Sequence, residues 1–218
     1  MKRVISEMWF DFDGTLVDSA PGIVWALRTA FEAVGLDVPE FAASDVVGPP
    51  LKSLIERLAP NENPARQHRI QTAYRDSYDR EGYRMCHVYD GWNEVLAALR
   101  TAGLRLRILT NKRQSAVDRM IRHFGWSEAF DGVHGAEEGI REAAARTKPE
   151  RAKELNRALV PAGMVIVGDS LDDLESADGI GAPFILARWG YGARAVISLR
   201  PDVQSIENPG SLLGLLPA

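Results

Sequence analysis

The chain has 218 residues, a formal net charge of −4 and one cysteine, Cys86. That length supports one sizeable core, or one core with a small inserted domain. The acid excess excludes the basic footprint of a nucleic-acid binder, and a lone cysteine excludes an intrachain disulfide. No run approaches the roughly 20 apolar residues of a membrane helix. Lys2 and Arg3 lead into an apolar run broken by Ser6 and Glu7, too poor for a signal peptide. The expectation is a cytoplasmic protein with no nucleic-acid and no membrane partner, as monomer or homodimer.

In chain order, Val4 to Phe10 predicts a buried strand. From about Ser19 to His87 the pattern is helical. Ile23, Ala26, Leu27, Ala30, Phe31 and Val34 form one apolar stripe, and Leu51, Leu54, Ile55 and Leu58 a second. Residues 65–81 form a third, more polar helix with Ile70, Ala73, Tyr74 and Ser77 on one side. Trp92, Val95, Leu96 and Leu99 predict a further helix, followed by a strand over Leu104 to Leu109. Val117, Met120, Ile121 and Phe124 again have helical spacing. Ala143 to Ala145 reads as helical, and Leu155, Ala158 and Leu159 fit a helix after Pro149. Strands follow at Met164 to Val167 and Pro183 to Ala187. Pro209, Gly210 and the Leu212 to Leu216 cluster read as a short closing helix. Strands alternating with helices predict an α/β fold with a parallel sheet covered on both faces. The helical block between the first two strands reads as an inserted domain, with crossings near Leu16 to Ser19 and Val88 to Gly91.

In an open parallel sheet, ligands bind outside the carboxyl ends of the strands. Asp11 and Asp13 follow the first predicted strand, and Thr110 and Asn111 the second. Gly168, Asp169, Ser170, Asp172 and Asp173 follow the Met164 to Val167 run, and Lys148 directly precedes Pro149. Taken singly, each has an ordinary explanation. Asp-x-Asp-Gly forms turns, Thr110 and Asn111 suit a helix cap, Lys148 suits a solvated surface, and Gly168-Asp169-Ser170 suits a capped turn. A calcium loop counted from Asp11 would need an acid where Gly22 stands. Taken together, several carboxylates at one sheet edge repel one another, and a hard cation with oxygen ligands or a lysine would relieve that. The chemistry combining a carboxylate nucleophile, a metal and phosphate donors is phosphoryl transfer through an aspartyl-phosphate.

These residues resemble the haloacid dehalogenase-like superfamily of phosphohydrolases, and within it the phosphoglycolate phosphatase-like branch. "DFDGTLVDS" is similar to its first motif, "ILTNK" to its second, "TKPE" to its third and "VGDSLDD" to its fourth. "WGYG", Trp189 to Gly192, resembles the phosphoglycolate phosphatase branch. The resemblance implies a Rossmann-like core over residues 1–17 and 89–218 and a mobile helical cap over 18–88. It implies Asp11 as nucleophile and Asp13 as general acid/base. Mg2+ would be held by Asp11, the Asp13 carbonyl and Asp169, with Asp173 behind them and paired with Lys148. Thr110, Asn111 and Lys148 would bind the phosphoryl group. Asp172 reads as an acid favoured at a helix N-terminus.

The cap would then choose the substrate. "VVGPPLK", Val46 to Lys52, resembles the cap loop that reaches the site, with Gly48 for close approach and Lys52 and Arg57 for an anionic group. Two departures stand out. The family's Tyr-Pro-Gly at the return crossing is Tyr89-Asp90-Gly91 here, which loosens the hinge or lets Asp90 cap the next helix. The stretch before Lys148, "AEEGIREAAARTKP", is highly charged where the family has a short loop. The function implied is an Mg2+-dependent phosphatase acting on a small phosphorylated metabolite, with phosphoglycolate as the named candidate. Asp13 sets this apart from the dehalogenases, which attack carbon and lack an acid there. The alternatives are a phosphosugar mutase of the same superfamily and a non-catalytic binding protein on this fold.

Overall fold

Glu7–Phe10 forms the first strand, β1, with all four side chains buried. The computed structural model describes residues 5–137, 146–159 and 163–215. Val4, Ala143 to Ala145 with most of the charged stretch before Lys148, and Leu216 lie outside them. The chain runs from β1 into β2 (Val17–Asp18), α1 (Ala20–Ala33), α2 (Ala43–Val46), α3 (Leu51–Leu58) and α4 (Pro64–Arg80). A 3-10 turn (Gly82–Met85) and β3 (His87–Val88) follow, then α5 (Trp92–Thr101), β4 (Arg105–Arg113), α6 (Gln114–His123) and β5 (Gly132–Ala136). The remainder is α7 (Lys148–Leu159), β6 (Met164–Gly168), α8 (Leu171–Ile180), β7 (Phe184–Ala187), α9 (Ala193–Leu199), β8 (Ser205–Ile206) and a closing 3-10 helix (Pro209–Leu215).

The described residues divide into two compact units. One holds the chain up to Val17 and from Val88 onward, and the other is Asp18–His87. The first is built on a parallel sheet of order β5-β4-β1-β6-β7-β8. β1 therefore lies between β4 and β6, with Phe10 level with Ile108 on one side and Val167 on the other. Side chains alternate along a strand, so Trp9 joins one face and Phe10 the other. Trp9, Leu109 and Ile166 pack with Ala152 of α7, Leu174 of α8 and Val196 of α9. Phe10 meets the Trp92 ring of α5 edge-on at 5.4 Å. Burial on both faces explains why β7, β6 up to Gly168 and β1 after Glu7 are apolar runs.

The strands differ from the pattern reading in several places: β1 starts only at Glu7, and the two-residue strands β2 and β3 at the crossings carry no sequence signal. β5, with the sequence Gly-Val-His-Gly-Ala, and the two-residue β8 carry no apolar run and so gave no signal. β4 continues four residues past Leu109, through a register shift against β5 between Leu109 and Arg113. Thr110 and Asn111 thus lie inside the strand rather than beyond it. Glu7 is buried inside β1 because Trp9 donates to it at 2.6 Å, Arg107 at 2.8 Å and Arg105 at 2.9 Å.

The second unit is helical apart from the strand ends where the chain enters and leaves it. α1 buries Ile23, Ala26, Leu27, Ala30 and Phe31, following its stripe. Gly22 lets α1 approach the turn after α4: a Cβ there would stand 2.1 Å from the Gly82 carbonyl oxygen. α4 starts at Pro64 behind Asn63, whose side chain accepts from Arg66 N–H at 2.9 Å. It buries Ile70 and Ser77 of the expected face together with Gln71 and Tyr78, while Ala73 and Tyr74 are half-buried, so the buried face is rotated slightly from the one expected. At the return, Asp90 does not cap α5. The N-cap is Gly91, at φ +91°, a conformation that glycine adopts without strain.

Candidate active site

Asp11 leaves the carboxyl end of β1, where its N–H donates to the Val167 carbonyl at 2.9 Å. The chain then bends sharply: Leu16 and Val17 N–H both donate to the Phe12 carbonyl, and Gly14, at φ +86°, donates to Val17. The Trp92 and Trp189 indoles donate to the Thr15 carbonyl at 2.9 and 3.1 Å, fixing this bend from two directions. Asp169 follows β6, the neighbouring strand, so the two carboxylates face each other across adjacent strand ends.

Asp173 does two jobs at once. One oxygen accepts from Ser170 N–H at 2.9 Å, Ser170 Oγ at 2.6 Å and Asp169 N–H at 3.1 Å, completing a capping box at the start of α8. Its other oxygen lies 2.5 Å from Lys148 Nζ, which also donates to Asp11 at 2.5 Å. Asp169 accepts from Thr15 Oγ1 at 3.1 Å and from Gly192 N–H at 2.9 Å. Oxygens of Asp11, Asp169 and Asp173 all lie within 4.8 Å of one another, and all three residues are buried.

Lys148 thus pairs directly with two of three clustered, buried carboxylates, and Asp169 stands beside them without such a contact among the described residues. Burial pushes the Asp11 carboxyl well above its ordinary range, and Asp173 and Asp169 add to that against the pull of Lys148. Burial, then Asp173, raises Asp169 to about 7, although Gly192, Thr15 and Lys148 oppose the shift. Burial works against the Lys148 ammonium, but Asp11 and Asp173 outweigh it and hold the charge. The excess negative charge and the all-oxygen donor set fit a hard divalent cation. Small residues reserve the space. A Cβ on Gly190 would stand 2.1 Å from Asp169 Cβ, one on Gly14 2.7 Å from its Oδ2, and one on Gly168 2.3 Å from Asp173 Cγ.

The other anticipated residues sit around this cluster or apart from it. The Asp13 carboxylate is not in the carboxylate cluster. It accepts from Lys112 Nζ at 2.9 and 3.3 Å. Thr110 is buried in β4, its hydroxyl accepting from Lys112 N–H at 3.2 Å. The Asn111 amide is engaged at both ends, donating to Asp172 at 2.6 Å and accepting from Arg151 at 3.1 Å. Gly48 and Lys52 belong to the helical unit. Gly48 has φ +101°, and exposed Lys52 pairs with Glu56 at 3.7 Å one turn along α3. Arg57 donates to the Asp45 carbonyl.

Four contributors lie outside the residues that the sequence singles out for the site: Thr15, Lys112, Arg151 and Gly192. Lys112 follows Asn111 directly, and Gly192 ends the Trp-Gly-Tyr-Gly stretch, so both had a positional signal. Thr15 and Arg151 act through contacts with residues 154 and 41 positions away, which no local pattern displays.

Residues 8–187 match the family model for haloacid dehalogenase-like hydrolases. With this strand order and site, the chain belongs to that family of enzymes. It is 36% identical over 185 residues to the tyrosine-protein kinase PtkA of Mycobacterium tuberculosis, covering 84% of this chain and 62% of that one. It therefore spans about three-fifths of that relative's length. It is 30% identical over 202 residues to the phosphoglycolate phosphatase of Vibrio vulnificus, 88% of each chain. A haloacid dehalogenase-like hydrolase structure from Streptococcus pneumoniae superposes with a TM-score of 0.81 at 26% identity, covering 97% of this chain and 98% of that one.

Proposed function

We propose that the protein is an Mg2+-dependent phosphatase that cleaves small anionic phosphate monoesters through a phosphoryl group carried on Asp11. The observation that carries this reading is Lys148 Nζ held 2.5 Å from both Asp11 and Asp173, with Asp169 alongside. A scaffold gains nothing from burying three carboxylates around one lysine. Asp11, Asp169 and the Asp13 carbonyl would hold Mg2+, which when bound supplies charge neutralisation for the phosphoryl oxygens.

The residues divide the work as follows. An Asp11 carboxylate oxygen attacks phosphorus, and the bond from phosphorus to the ester oxygen breaks. Asp13 gives its proton to that leaving oxygen. Water then attacks the phosphoaspartate, losing its proton to Asp13. The bond between phosphorus and Asp11 breaks, and inorganic phosphate leaves. Lys148, 2.5 Å from Asp11, and Thr110, on the strand next to β1, would receive phosphoryl oxygens. The helical unit Asp18–His87 is read as the cap that selects the substrate, with Lys52 as a contact for an anionic group. The Vibrio relative makes phosphoglycolate the first substrate to test, in a cytoplasmic setting.

A second reading follows from the mycobacterial relative, whose name is that of a tyrosine kinase. In it, the phosphoryl group passes to a tyrosine hydroxyl instead of water, as a mutase would pass it to a sugar. One experiment separates them. The protein with Mg2+ is given phosphoglycolate, sugar phosphates, nucleotides, pyrophosphate and an aryl phosphate, with Asp11→Asn as the blank. Release of inorganic phosphate supports the phosphatase. Loss of donor phosphate that reappears on tyrosine or sugar without free phosphate sinks it.

A further inference from the structure

Arg151 is a buried cation to which the reaction above gives no task. Its guanidinium donates only to neutral oxygens among the described residues: Gly135 O at 3.1 Å, Thr110 O at 2.9 Å and Asn111 Oδ1 at 3.1 Å. Its Nε has no partner among them. A buried cation on neutral acceptors is costly, so the three acceptors deserve a reason. Thr110 and Asn111 lie in the stretch where the ladder between β4 and β5 shifts register, between Leu109 and Arg113. Gly135 lies in the facing part of β5. The rigid fork of an arginine can hold several such acceptors at fixed spacing, which a lysine cannot.

Two consequences converge on the site. With Asn111 Oδ1 facing Arg151, the amide Nδ2 is forced to the opposite side, where it meets Asp172 at 2.6 Å. Arg151 is also one turn beyond Lys148 on α7, and its own N–H donates to Thr147 O at 3.0 Å. The fork therefore fastens the first turn of α7 to the ends of β4 and β5.

We propose that Arg151 is a positioning residue for phosphoryl transfer, setting the direction of the Asn111 amide and the placement of Lys148 from behind the site. This rests on the phosphatase reading. It touches neither substrate nor metal, so its loss shows in turnover more than in substrate affinity.

The test uses the Mg2+-loaded full chain and an aryl phosphate. Arg151→Met is expected to lower kcat by about tenfold to a hundredfold, the range that an ångström of misplacement produces, with KM within about threefold. Arg151→Lys falls between it and wild type. Unchanged kcat in a folded Arg151→Met protein overturns the proposal. If that variant does not fold, Arg151→Lys decides, and wild-type kcat there overturns it equally. If neither variant folds, Arg151 is a structural strut and the proposal fails. A crystal structure of the folded variant needs no activity: Asn111 turned from Asp172 and Lys148 displaced support the proposal, and unmoved side chains contradict it. Wild-type protein inactive on every substrate would count against the phosphatase reading, leaving that crystallographic result to judge Arg151.

Discussion

Lys148 and Asp11 are 137 residues apart in sequence and 2.5 Å apart in space. The contact places an ammonium against the carboxylate read as the nucleophile. Lys148→Met should leave Asp11 and Asp173 buried without it. Removing one partner of a buried ion pair costs about 3–5 kcal/mol. Urea denaturation in chelator should show a loss of that size, and phosphate release should fall with it. A variant as stable as wild type would mean the carboxylates bear little charge.

Gly190→Ala puts a carbon 2.1 Å from Asp169 Cβ, a distance no real contact tolerates. Backbone or Asp169 must move. Overpacking of this kind costs about 1–3 kcal/mol. Activity should fall further than stability, because Asp169 also loses its aim. Thermal melts and phosphate release on one preparation measure both, and normal activity in Gly190→Ala would show that Asp169 tolerates displacement.

Whether a feature is legible in the sequence depends on the range of the contacts that create it. β6 up to Gly168, β7 and the Met8 to Phe10 part of β1 are short apolar runs buried on both faces, and the stripes of α1, α3, α5 and α6 follow helical spacing. Asp11, Lys148, Asp169 and Asp173 stood out because each follows a strand or opens a helix. What escaped depended on tertiary contacts. β5 lacks an apolar run, so only its place beside β4 makes it a strand. Asn111 is legible as a polar group near a strand end, but that Arg151 and Asp172 set the direction of its amide is not. Asp13 next to Asp11 suggested one carboxylate group, yet its side chain faces Lys112.

Stability at low pH should depend on Glu7. Burial alone would raise its carboxyl, but hydrogen bonds from Trp9, Arg107 and Arg105 outweigh that and hold it below 4.5. As pH falls, the unfolded chain takes up this proton first. The contribution is therefore present above about 4.5 and is lost as pH falls through the lower, folded value. Glu7→Gln should flatten that part of the stability curve. Denaturation series on both sides of pH 4.5 test it, and identical slopes for the two proteins would remove Glu7 from the account.

Mg2+ should raise the melting temperature of wild-type protein, by an amount equivalent to about 2.7 kcal/mol at a hundredfold excess over Kd. Asp169→Asn should abolish most of that shift, and excess chelator should stop phosphate release. A shift that persists in Asp169→Asn would place the ion elsewhere.

The most direct measurement is acid-quenched peptide mapping after brief exposure of Mg2+-loaded protein to a substrate that it turns over. One phosphoryl group is expected on the peptide containing Asp11, absent in Asp11→Asn and short-lived in wild type. A steady rate of phosphate release with no phosphoryl group on that peptide at any time, and with Asp11→Asn still active, would contradict it.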